Sequence, residues 1–415
     1  MKKNLVPRVR FKGFGEEWSE ERIENLSSFR RGSFPQPYGK EEWYNGVNLM
    51  PFVQVFDIGD DLKLEPKTKQ KISLSAQRMS VFVKKGSVLV SLQGTIGRTA
   101  VSQYDSYIDR TILVFEGYKT KINKTFWAHI IKKKFQIESD NAPGAIIKTI
   151  TKEVLSNFQL LLPKYNEQQK IGKLLENIDN LITLEEIKLN KLKQLKETLL
   201  QKMFPDGNSK TPKIRFRGFQ GEWEEEKLEE IGQTYTGLSG KTKKDFGHGN
   251  SRYITYLNIF NNPIANLKGL DRIEEDRKQN SVKYGDIFVT TSSEIPEEVG
   301  ITSIWPFKDK ENIYLNSFCF GIRLNNINNY YINFLAYNLR NNELRKDIVL
   351  LAQGISRFNI SNRRFMKLNI LLPNISEQQK IGDFFSNIDT LINLYNSKLN
   401  KLKQIKEALL QKMFV

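Results

Sequence analysis

One cysteine (Cys319) and two histidines (His129 and His248) are all that 415 residues contain of those two types. A single thiol excludes an internal disulfide framework and points to a reducing, cytoplasmic setting. Three such side chains scattered along the chain do not supply a clustered zinc site, and two distant histidines argue against a histidine-based nucleophilic triad. No run of about 18 apolar residues occurs, so no membrane-crossing helix is predicted. The opening MKKNLVPRVRFKGF lacks the apolar core of a signal peptide. Two enzyme motifs are missing as well. No Asn/Asp-Pro-Pro-aromatic segment is present to hold a flipped base for methylation; NPIA at Asn262 lacks the second proline and the aromatic. No segment fits the G-x-x-x-x-G-K-[ST] phosphate loop. GHG at Gly247–Gly249 reads as an ordinary loop, and the acidic group Asp57, Asp60 and Asp61 beside Lys63 as a solvated one. These absences predict a binding subunit rather than a catalyst.

Positive charge, by contrast, is plentiful. The formal net charge of +17 makes a polyanion the expected partner. About +9 of it falls on residues 1–160 and about +4 on 205–370, with only about +2 on each of 161–204 and 371–415. The excess therefore sits where a nucleic-acid surface would need it.

The chain repeats itself. LLPKYNEQQKIGKLLENIDNLITLEEIKLNKLKQLKETLLQKMF (Leu161–Phe204) aligns without gaps to Leu371–Phe414, with about 30 of 44 positions identical. PRVRFKGFGEEWSEERIENL from Pro7 resembles PKIRFRGFQGEWEEEKLEEI from Pro212. Between these markers the halves barely resemble one another. Four segments follow: a globular part over 1–160, a helix over 161–204, a second globular part over 205–370 that begins with the linker PDGNSKTP (205–212), and a second helix over 371–415. Pro163 and Pro373 stop the preceding strand, and Asn166 and Ser376 are the predicted N-caps. Apolar residues recur at Ile171, Leu174, Ile178, Leu181, Leu189, Leu192, Leu195 and Leu199, matched by Ile381 through Leu409, as a coiled-coil-like stripe. Each helix of some 38 residues would be a rod of roughly 57 Å. Neither could bury its stripe alone, so the two are predicted to pair antiparallel. The globular parts carry short β-branched and aromatic runs (MPFVQVFDI, GSVLVSL, RTILVFEG, GDIFVTT, NSFCFGIRL) and short amphipathic helices (KTFWAHIIKKKF, YYINFLAYNLRN). The fold class is α+β: two globular α+β domains separated by two long antiparallel helices, with an internal pseudo-twofold repeat.

Packing alone does not demand identical surface residues in the two helices. Yet Asn190, Lys191 and Gln194 return as Asn400, Lys401 and Gln404, and Gln168 and Gln169 as Gln378 and Gln379. These residues are the predicted docking surface for two identical partner subunits.

Two variable domains, each closed by a near-identical long helix, resemble the specificity subunit of a type I restriction-modification system. The telling residues stand in order: VQVFDI, then GTIG (Gly94–Gly97), then the runs Ala142–Pro163 and Ala352–Pro373 into EQQKIG. The second half departs from this pattern, with LNI (Leu257–Ile259) in place of VFDI and no GTIG after GDIFVTT. The resemblance implies two target-recognition domains, each reading half of a split site on double-stranded DNA. It implies two modification (methyltransferase) subunits on the helices and restriction subunits in the full complex. S-adenosylmethionine, ATP and magnesium would bind those partners, with no cofactor in this chain. Helix length would set the unread spacer, comparable to about 17 base pairs. Polar and basic loop residues suit base edges: Arg30, Arg31, Ser33, Gln36, Gln93, Thr95 and Arg98 in the first domain, Lys241, Lys243, Lys244, Thr291, Ser292, Ser293 and Arg357 in the second. A coiled-coil adaptor with two protein-binding domains is the competing reading from the same sequence.

Overall fold

The computed structural model describes residues 5–140, 152–207, 209–308 and 312–415. The stretch 142–151 of the Ala142–Pro163 run lies outside them. The β-branched runs form strands and the amphipathic runs form helices, Lys124–Asp140 and Ile332–Asn338. MPFVQVFDI is strand only over Met50–Val53, because the chain then turns through a 3-10 helix at Val55–Asp57. Asp57 is not a solvated loop residue. It is buried, and its carboxylate accepts the backbone N–H groups of Gln54 and Lys69; desolvation raises its pKa.

Two compact units make up the chain: Met1–Glu186 with Ser397–Val415, and Ile187–Asn396. Each contains one globular domain, the first part of one long helix and the last part of the other.

In the first unit a four-stranded antiparallel sheet runs in the order Ser27–Arg31, Ile112–Tyr118, Val88–Ser91, Thr99–Val101. Beside it lies a second four-stranded sheet, in which Met50–Val53 pairs parallel with Ser106–Ile108. Ser19–Arg22 pairs with Gln159–Leu162, which delivers the chain into the long helix Tyr165–Lys202. The main core gathers Trp18, Phe115, Phe126, Trp127, Leu160 and Ile171 with Phe414.

The second unit repeats this plan. Its four-stranded sheet runs Gly232–Thr236, Cys319–Leu324, Ile287–Thr290, Thr302–Ile304. A three-stranded sheet over Leu270–Ile273, Phe246–Ile254 and Ile313–Leu315 takes the place of the first unit's second sheet. Glu224–Lys227 pairs with Asn369–Leu372 ahead of the helix Ile375–Met413. The core joins Trp223, Phe334, Phe365 and Phe385 to Phe204.

The long helices begin earlier than the sequence predicts. Asn374, not Ser376, accepts the Glu377 N–H through its side chain at 3.0 Å. In the first helix the Lys164 carbonyl accepts the N–H groups of Glu167 and Gln168, so Asn166 is already inside the first turn. Antiparallel pairing is present within each unit. Lys406 meets Asp179 in the first, and Lys196 meets Asp389 in the second; these are the same pair of positions, since the repeat offset is 210. The apolar stripe does not form one continuous seam. Ile171, Ile178 and Leu189 are buried, while Leu181, Leu195, Leu391 and Ile405 are about half exposed.

Candidate DNA-reading and partner surfaces

In both units two loops leave the same end of the four-stranded sheet. In the first, Arg31 pairs with Leu113 and Ser91 with Ile112, so the segments after Arg31 and after Ser91 flank one turn, Asp109–Thr111. In the second, Thr236 pairs with Phe320 and Thr290 with Cys319, so the segments after Thr236 and Thr290 flank the turn Asn316–Phe318. The turns are built alike. Asp109 Oδ1 accepts the Thr111 N–H at 2.9 Å, and Asn316 Oδ1 accepts the Phe318 N–H at 2.8 Å.

The loop after the central strand is also held the same way in both. Gly97 N donates to Ser91 O, and Gly300 N to Thr290 O; Ser91 Oγ accepts the Arg98 N–H, and Thr290 Oγ that of Ile301. Both glycines have positive φ, and a Cβ would stand 2.8 Å from Phe135 or 2.6 Å from Ile348. The missing GTIG therefore has a counterpart: Gly300 keeps the exit, and the loop before it is longer.

The first-domain candidates fall on this sheet end, but several are committed within the chain. Arg30 pairs with Glu116 at 3.1 Å, and Arg31 donates to the Arg110 carbonyl. Ser33 donates to Met79 O, and Gln36 stands exposed before Pro37. Arg98 donates to Ile58 O at 2.9 Å and lies 3.6 Å from Asp60, so it braces the neighbouring turn. Gln93 is half-buried in the same loop, where Thr95 is exposed and its carbonyl accepts Ser91 Oγ. Arg110, at the turn itself, escaped the sequence reading; its guanidinium lies 5.2 Å from the Tyr38 ring, and Tyr38 donates to Asp109.

In the second domain Thr291, Ser292, Ser293 and Arg357 come together. Ser292–Ser293 pairs with Phe358–Asn359, and Arg357 Nε donates to Ser292 Oγ at 2.8 Å. Thr291 Oγ donates to Phe318 O, and Ser293 Oγ to Glu298. Lys241 belongs to a different contact, an ion pair with Asp276 at 2.8 Å that holds the Asp276 carboxyl down at about 2 and raises the Lys241 pKa. Lys243 and Lys244 are exposed on the following turn.

The repeated helix residues separate into two groups. Gln168 and Gln378 are buried. Each donates to the carbonyl of the preceding proline, Pro163 or Pro373, at 2.9 Å, and each accepts a backbone N–H, from Asn123 or Tyr331. Their neighbours Glu167 and Glu377 are also buried and take bidentate bonds from Arg10 and Arg215 at 2.6–2.8 Å. This part of the repeat fastens helix to domain. Gln169, Gln379, Asn190, Lys191, Gln194, Asn400, Lys401 and Gln404 are exposed. The ion-pair register sets Leu181 at the level of Gln404 in the first unit, and Leu391 at the level of Gln194 in the second. Each unit thus carries half-exposed leucines and, at the same level of its paired helices, identical exposed polar residues.

The model of the "type I restriction modification DNA specificity domain" matches residues 15–194 and again 220–404. The chain belongs to the type I restriction-modification DNA specificity family. The two matched ranges share the plan described above; the globular part of each lies in one compact unit, and each range ends within the long helix that runs on into the other. The "type I restriction enzyme MjaVIII specificity subunit" of Methanocaldococcus jannaschii is 19% identical over 425 residues, covering 95% of this chain and 91% of its own length. A second subunit of that organism, described as a putative type I restriction enzyme MjaX specificity subunit, is 26% identical over 201 residues, 46% of this chain and 45% of its own. Among solved structures, the type I S subunit from M. genitalium superposes with a TM-score of 0.64 at 16% identity, covering 99% of both chains. A structure concerning assembly and conformational transition of the type I R-M system gives 0.54 at 16% identity, over 96% of this chain and 97% of that one. At these identities the likeness is one of fold. Among the described residues no helix is long and apolar enough to cross a membrane, and no group of three or more His, Cys, Asp or Glu could hold a metal ion.

Proposed function

We propose that each specificity domain reads one half of a bipartite, asymmetric DNA site, through the two loops and the turn at the end of its four-stranded sheet. The carrying observation is the contrast between frame and tip. The sheet end, the asparagine- or aspartate-held turn and the glycine exit recur in both domains, while the side chains they present differ. A constant frame with variable tips suits two readers of unlike sequence. The chain contributes recognition. Methyl transfer and cleavage come from partner subunits, which would carry S-adenosylmethionine, ATP and magnesium. The exposed leucines and repeated polar residues on each unit's paired helices support the docking of two identical modification subunits, since burying several half-exposed leucines stabilises an interface. Restriction subunits would complete the assembly, and the long helices would set the unread spacer. The net charge of +17 adds the sequence-independent attraction for phosphate.

A long-read methylation map of the host, with and without this gene, tests the reading. Deletion should remove one split, asymmetric motif. Replacing residues 1–160 with another member's domain should change one half of that motif. An unchanged map with an active modification subunit, or a swap that alters both halves, sinks the reading and favours the coiled-coil adaptor.

A further inference from the structure

The turn that presents Arg110 in the first domain presents an aromatic ring in the second. Phe318 is 55% exposed at the tip of Asn316–Phe318. Beside it the exposed Leu257, at the start of the helix Tyr256–Asn261, and Ile295, in the loop after Thr290, line the same open groove of about 420 Å³. Arg357 borders this groove on the exposed surface. Its guanidinium lies 5.9 Å from the Phe318 ring, and its Nε is held by Ser292. Three large apolar side chains at one rim are an unusual exposure for a surface that meets a polyanion. Phosphate contact does not explain them, because a phosphate oxygen gains nothing from a phenyl ring. The major groove offers one apolar feature, the C5-methyl of thymine, and guanine offers the O6/N7 pair that a guanidinium fork matches.

The geometry points to a thymine-methyl clasp in the second half-site: Phe318, Leu257 and Ile295 enclose the C5-methyl of a thymine, and Arg357, preset by Ser292, takes the O6/N7 edge of an adjacent guanine. Glu294 on the rim suits an exocyclic amino group of a neighbouring cytosine or adenine. This inference rests on the proposed DNA-reading function and names which chemistry the second domain selects.

The test uses the chain assembled with its modification subunit, with duplexes carrying the mapped motif. Thymines are replaced one at a time by deoxyuridine, which deletes only the methyl. At one second-half position this should weaken binding about fourfold, the worth of one buried methyl; in Phe318→Ala the thymine and uracil duplexes should bind alike. Phe318→Leu should restore part of the preference. Arg357→Ala should relax a guanine next to that position by about tenfold or more, leaving the first half-site as before. If no second-half thymine shows the methyl effect, or Phe318→Ala still discriminates, the clasp is wrong while the two-reader function stands. If the assembly recognises no split motif at all, the function falls and the clasp with it.

Discussion

Arg10 and Glu167 illustrate a residue whose meaning appears only in the fold. The carboxylate is 1% exposed and the guanidinium 11%. Arg10→Ala strands a buried charge, so chemical denaturation should show a loss of about 3–5 kcal/mol. Arg30→Ala, which breaks a pair whose members are both about half exposed, should cost under about 1 kcal/mol in the same measurement. His129 predicts a pH dependence. It is buried against the Phe414 ring, and desolvation, with Lys406 and Lys132 nearby, depresses its pKa to about 3. The unfolded chain binds a proton here below about pH 6.5 while the native one does not until about pH 3. Stability from neutral His129 is therefore full above pH 6.5 and declines as pH falls, by up to about 1.4 kcal/mol per unit. Denaturation curves at pH 7, 6 and 5 should show this slope, and His129→Phe should flatten it. Neither effect could be read from the sequence. The spacing from Arg10 to Glu167 is 157 residues, and a lone histidine carries no burial signal.

At the scale of the element, the long helices were the most legible part, because a repeat of near-identical segments needs no tertiary knowledge to detect. Their faces were less legible. A period of three and four marks Leu181 and Leu391 as core, yet they are 46% and 45% exposed. Each helix needs only one narrow seam against its partner, and residues a turn round from that seam are left outside. Gln168 and Gln378 went the other way, from predicted surface to buried anchors. We predict that Leu181→Glu with Leu391→Glu abolishes co-purification of the modification subunit, while thermal unfolding of the chain moves by less than about 2 °C, since exposed positions contribute little to folding. A Tm drop as large as that of a core substitution would assign these leucines to packing instead. The turns Asp109–Thr111 and Asn316–Phe318 were invisible as a pair, because only one side-chain acceptor is shared and the strands that align them are long-range.

For the whole molecule, the closing of each unit follows one rule. Val9 N donates to Lys412 O in the first unit, as Ile214 N does to Lys202 O in the second; Trp18 meets Phe414 edge-on, as Trp223 meets Phe204. The peptide link through 205–212 thus has a non-covalent twin where residue 9 meets residue 412. A chain opened near Ser209, with Val415 joined to Leu5 by a short flexible linker, should fold to the same secondary structure by circular dichroism and keep its methylation motif; an aggregated product would show that the order of synthesis matters. The sequence by itself determined the duplicated α+β plan, the paired helices and the basic balance, because periodicity, repetition and composition are local or additive properties; the family resemblance came separately, from short motifs standing in order, VQVFDI, GTIG and EQQKIG. Tertiary structure alone decided which residues are available to a partner or to DNA. Burial of Gln168, capture of Lys241 by Asp276 and the placing of Arg357 beside Phe318 all depend on groups brought together across 30 or more residues, and no local pattern encodes that.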